Sequence, residues 1–220
     1  MLKLIKSTKP VFGLVITTLL LFACQTAYYN AMEKFGFHKR DLLVDYIMQA
    51  RDSQKEAKEQ FKSSLEKFSA VVNFDGGELQ QKYEQLNADL EQSESSAEDV
   101  RKRIESVESV AEALFKEWET ELQQYSNEKM RRVSQQKLTS TQQQYAKLIS
   151  TMKRAEQKIE PVLVIFRDQV RFLKHSLNAQ AVASLKGELI LVESNVDSLI
   201  KEIEISIREA DAFIGKMNQE

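Results

Sequence analysis

The sequence predicts an all-α protein: elongated antiparallel coiled-coil hairpins, or a four-helix up-down bundle, after an N-terminal signal segment. Three observations carry this. Six glycines and two prolines in 220 residues are too few for the many connections of an all-β fold. With 29% charged and 42% hydrophobic residues, and Gln, Glu, Lys, Ala and Leu abundant, the composition suits long helices. From Leu79 to Trp118 the core-type positions alternate by four and three without a slip, and Leu122 and Tyr125 continue the stripe, the sustained heptad of a coiled coil.

The first segment, residues 1–23, reads as a leader. Lys3, Lys6 and Lys9 form a basic region, and Val11 to Phe22 an apolar core of twelve residues. A bilayer-spanning helix needs roughly 20 apolar residues, so this core is short for a span and suited to a secretory signal. Leu21-Phe22-Ala23-Cys24 resembles a bacterial lipobox, with Ala23 directly before the cut and Cys24 as the lipidated residue. Phe22 is bulkier than the residue usual at its position. Cys24 is the sole cysteine of the chain, which also excludes an internal disulfide and a multi-cysteine metal cluster. Gln25 follows it, which in lipoproteins of enterobacterial type implies the outer membrane. Cleavage leaves 28 basic against 33 acidic residues, a net charge of −5. Acids and bases interleave with no basic stripe, so nucleic acid is not an expected partner.

Residues 24–40 form a membrane-proximal connector, where Tyr28, Tyr29, Phe35 and Phe37 among basic residues fit either lipid headgroups or packed helix-start rings. Leu43, Ile47, Ala50, Ala57, Phe61, Leu65, Phe68 and Val72 then recur on one helix face. Asn73, Phe74, Asp75, Gly76 and Gly77 end that helix and make a hairpin tip. The heptad helix follows, so residues 41–127 form one hairpin with its turn at 73–77. Across residues 126–136 the register falters, and Thr139 or Ser140 with Gln142 or Gln143 offers a capping box for helix three. Helix three carries Tyr145, Leu148, Met152, Ala155, Ile159, Val162, Phe166, Val170 and Leu173; helix four carries Leu185 through Met217. Residues 128–220 thus form a second hairpin with its turn near 175–182. Whether helices two and three fold back or run on is open at this level; folding back brings both termini to one end.

Several stretches are apolar beyond a two-stranded seam. A wide stripe means more than one neighbour, either the other helices of a bundle or a partner, a second copy or lipid. Val162, Leu163, Ile165, Phe166 and Phe172 form the candidate partner face on helix three. Pro161, lacking an N–H, is expected to kink or break that helix.

No reaction is legible. Nucleophilic catalysis needs a positioned base, and His38 and His175, the only histidines, read as helix-end residues. Neither has metal-binding spacing, so no catalytic residue, metal site or cofactor is expected.

The segments "YYNAMEKFGFHKRDLLVD" (28–45), "NFDGGELQQKYEQLN" (73–87), "AEALFKEWETELQQYSN" (111–127) and "EPVLVIFRDQVRFLKHSLNAQAVASL" (160–185) resemble the bacterial domain of unknown function 2959 family. The resemblance covers nearly all of the chain after the leader. It implies a helical envelope protein of Gram-negative bacteria and brings no activity or ligand. The expected function is therefore non-catalytic: a lipid-anchored periplasmic coiled-coil scaffold or adaptor, held at the outer membrane through Cys24, with a protein partner or a second copy on helices three and four. A bundle binding lipid or a small hydrophobic ligand, and an activator of an envelope hydrolase, are the rival readings.

Overall fold

The computed structural model describes residues 38–73, 79–176 and 178–219. Among them are five helices and no strand: α1 Lys39–Val72, α2 Leu79–Leu122, α3 Glu128–His175, α4 Ala179–Lys186 and α5 Leu189–Met217. At 1.5 Å per residue, the 44 and 48 residues of α2 and α3 reach roughly 66 and 72 Å.

The four long helices form a square. α1 and α3 stand on one diagonal, and each packs against both α2 and α5. Cross-helix pairs fix the directions. Lys39 meets Glu117 at 3.0 Å and Lys67 meets Asp89 at 2.5 Å, so α1 and α2 are antiparallel. Lys147–Glu209 and Arg154–Glu202 make α3 and α5 antiparallel, and Arg51–Asp211 with Lys58–Glu204 does the same for α1 and α5. Trp118 Nε1 donates to Ser134 Oγ at 2.8 Å, and Arg167 pairs with Glu94. Helices α2 and α3 therefore fold back at residues 123–127 and do not run on. The chain goes up, down, up and down, and Arg40 bonds the Met217 carbonyl where the first and last turns meet.

Heptad positions face the interior because 3.5-residue spacing keeps them on one seam. Val100, Ile104, Val107, Ala111 and Leu114 of α2 are buried against Leu43, Ile47, Ala57, Phe61 and Phe68 of α1 and against α3. Phe61 and Phe166 stack across the diagonal, with ring centroids 6.4 Å apart and planes at 16°.

Two expectations about element ends are corrected. Helix α3 starts at Glu128, capped by Asn127, whose side chain accepts from the Lys129 and Met130 amides. The capping box at Thr139–Gln143 lies mid-helix: Thr139 Oγ1 donates to the Gln135 carbonyl, and Ser140 Oγ accepts from Gln144. Hydroxyls that bond within their own helix in this way do not cap. Pro161 does not break α3, which continues through it to His175. The helix breaks after His175, within the expected turn near 175–182, and the short helix α4 follows, N-capped by the Asn178 side chain. Gly187 and Glu188 keep helical angles between α4 and α5, with Glu188 N donating to the Leu185 carbonyl three residues back. His38 is the N-cap of α1 and His175 the last residue of α3.

Candidate functional site

Polar residues inside a helical bundle need partners, and two groups of them mark the interior. In the upper half of the α1–α2 seam, Ser64 and Ser93 hydroxyls lie 3.0 Å apart. Gln60 Nε2 reaches Ser64 Oγ and the Asp89 carbonyl, and Ser93 Oγ donates to that same carbonyl at 2.8 Å. Asp89 is only 4% exposed. One carboxylate oxygen accepts from Lys67 Nζ, and Oδ2 has no protein partner. A cavity of about 10 Å³ lined by Ser64, Phe68, Asp89, Phe166 and Gln169 adjoins it, room for about one water molecule. Its lining includes no histidine and no second carboxylate. Lower down, Ser206 Oγ of α5 donates to Gln54 Oε1 of α1 at 2.8 Å, both residues fully buried, with Gln54 Nε2 unpartnered.

Tyr145 packs edge-on against Phe115, ring centroids 5.4 Å apart. Its burial pushes the phenol well above the usual tyrosine range, and Glu108 and Glu112 add to the shift. No group of three or more metal-ligating side chains gathers among the described residues. Between the start of α1 and the end of α5 lies an open cleft of about 520 Å³, lined by Arg40, Asp41, Asp45 and Met217.

Of the residues expected to act, Ala23 and Cys24 lie outside the described residues, as do Phe74, Asp75, Gly76 and Gly77 of the hairpin tip. Asn73 is described: its Nδ2 donates to the Ser69 carbonyl at 3.0 Å, closing the end of α1. The structure divides the candidate partner face. Val162, Leu163 and Phe166 are buried, Phe166 to 5% exposure, in the cluster formed by all four long helices. Ile165 is partly buried against that cluster, and only Phe172, at 42%, faces outward. The width of the stripe on α3 reflects its two neighbours, α2 and α5.

Besides Met48, Val164 and Phe172, exposed apolar side chains form two groups toward the ends of the rod. Ile190 and Leu191 stand out at the start of α5; Tyr125, Met130 and Val133 stand out around the α2–α3 turn. Sequence reasoning missed the second group because the lost register there reads as a helix boundary. The signal was the basic run Lys129, Arg131, Arg132 interleaved with Met130 and Val133.

The comparison that decides the family is the match of residues 28–217 to the family described as "Protein of unknown function (DUF2959)". The chain belongs to this family. The DUF2959 match runs from the connector through the last residue of α5 and so takes in every helix of the bundle. No curated protein and no solved structure matches the chain.

Proposed function

We propose that this DUF2959 protein is a non-catalytic, lipid-anchored scaffold or adaptor of the bacterial cell envelope, tethered through Cys24 at the outer membrane and facing the periplasm. The observation that carries the reading is the tetrad Leu21-Phe22-Ala23-Cys24 after a short apolar core, with the chain's sole cysteine at its end. Two or three acyl chains on that cysteine make a stable anchor, since each buried CH₂ contributes about 0.8 kcal/mol and a single chain holds only marginally. No helix among the described residues is long and apolar enough to cross a membrane, so a membrane attachment of this kind falls to the leader. The rod form supports a scaffold: an anchored bundle roughly 60–70 Å long presents its far end well away from the lipid.

The filled interior favours this reading over a carrier of hydrophobic ligands. Core side chains of the four long helices close on one another, and the cavity beside Phe166 has space for about one water. The reading is tested by metabolic labelling with a palmitate analogue. Wild-type protein should carry the label and the Cys24→Ser variant none; equal labelling of both, or an intact residue 1 on the native protein, overturns it.

A further inference from the structure

At one extremity of the rod two helices outrun the other two. Lys39, the first residue of α1, pairs with Glu117, and Arg40 bonds the last residue of α5. Helices α2 and α3 continue past that level, held by the Trp118–Ser134 bond. The six residues from Ser134 back to Glu128 add roughly 9 Å of overhang. Among the described residues neither α1 nor α5 reaches along it; Leu122 and Leu138 are buried at its base, and three apolar side chains remain outside: Tyr125, Met130 at 58% and Val133 at 59% exposure.

The same tip is basic. Residues 123–137 hold Lys129, Arg131, Arg132 and Lys137 against Glu128 alone, in a chain whose net charge is −2. Arg131 pairs with Glu128 at 3.6 Å. Lys129, Met130, Arg132 and Val133 are all exposed, and helical spacing puts them within about half the circumference of α3. Apolar groups flanked by cations on a solvent-facing turn suit a surface with an acyl interior and an anionic rim. The tip also stands at the end of the rod where His38 leads back toward the leader. The 14 residues from Cys24 to Phe37 span at most about 50 Å.

We propose that the α2–α3 tip is a lipid-contacting foot, in which Tyr125, Met130 and Val133 enter the headgroup layer of an anionic bilayer while Lys129 and Arg132 engage its phosphates. The orientation of the rod in this inference rests on the membrane-anchored reading above. A second point of contact would hold the rod at a fixed angle instead of letting it swing on its tether.

The test uses the full chain in a Cys24→Ser background, with one environment-sensitive fluorophore on Val133→Cys or, at the opposite end, on Ile190→Cys. The protein is reconstituted into phosphatidylethanolamine vesicles containing phosphatidylglycerol and headgroup nitroxides. The inference expects a blue shift and at least threefold quenching at position 133 and none at 190. Adding Lys129→Glu and Arg132→Glu should reduce the quenching at least threefold. No quenching at position 133, equal quenching at both positions, or a blue shift produced by concentration without lipid (a second copy on the tip) each overturns it. The two readings fail separately, because the fluorescence assay needs no acylated cysteine. Lost palmitate labelling with position 133 still quenched removes the lipid anchor alone, whereas labelling with position 133 unquenched removes the foot alone.

Discussion

Gln54 occupies a core position of α1 with its amide nitrogen unpartnered and its carbonyl oxygen held by Ser206. A buried donor left unsatisfied costs more than a missing bond gains, whereas replacing both partners by apolar groups of similar shape is close to neutral or stabilising. Ser206→Ala alone is therefore expected to lower the unfolding free energy by about 1–3 kcal/mol. Adding Gln54→Met to it should restore wild-type stability or exceed it. Chemical denaturation of the two variants checks the sign reversal; a double variant as weak as the single one refutes the account. Such a pair is retained at a cost in stability where it fixes which helices meet and in what register. At this scale the sequence was half legible. Ala50 and Ala57 leave a seven-residue gap on one face, and only a core position near 54 fills it. Yet Gln, Ser64 and Asp89 do not read as interior residues, because their partners sit on other helices.

At the scale of elements, the heptad made α2 legible from Leu86 to Leu122, most of its positions being buried. Periodicity survives there because α2 has a neighbour along its whole length. The start of α3 was not legible for the converse reason. Over residues 128–136 no residue is buried, so no apolar stripe is required and the helix leaves no period to read. What starts it is local: Asn127 satisfies two of the four orphan amides of the first turn. Asn127→Ala is expected to cost about 1 kcal/mol, seen as a fall in unfolding free energy. Because the first turns of α3 carry no core residue, fraying should be local, with faster amide exchange over residues 128–134 and unchanged exchange at Leu148 or Met152. Stripe width was ambiguous for a related reason. It counts neighbours without saying whether they belong to the same chain, and only the square packing assigns Val162 and Phe166 to the interior.

On the scale of the whole molecule, two kinds of interaction join the helices, and their weights differ. Cross-helix ion pairs such as Arg51–Asp211, Arg101–Glu156 and Arg154–Glu202 lie at the surface with at least one partner well exposed. Pairs of this kind contribute about 0–1 kcal/mol each and are screened by salt. The apolar seam is not screened, and truncating one large core residue such as Phe166 to Ala costs about 3–5 kcal/mol. Raising the ionic strength to about 1 M, where the screening length is roughly 3 Å, should therefore lower the unfolding free energy by less than Phe166→Ala does. Denaturant titrations of wild type at low and high salt, beside the variant, decide this. A larger loss in salt means that charge pairing holds the bundle together. The all-α class was legible from composition, turn residues and period together, but the fold-back of α3 on α2 was not, because no Gly or Pro marks residues 123–127. The leader proposed for residues 1–23 rests on residue chemistry alone, since those positions lie outside the described residues.

Arg40 and the Met217 carbonyl are 177 positions apart in the chain, and this single closure has a consequence for biogenesis. Helix α1 emerges first from the ribosome, yet one of its two flanks stays bare until the final helix has been made. A premature stop anywhere before Leu189 leaves Leu43, Ile47 and Phe61 with part of their cover missing. Early termination should therefore yield a sticky remnant for proteases to clear, and not a shorter working rod.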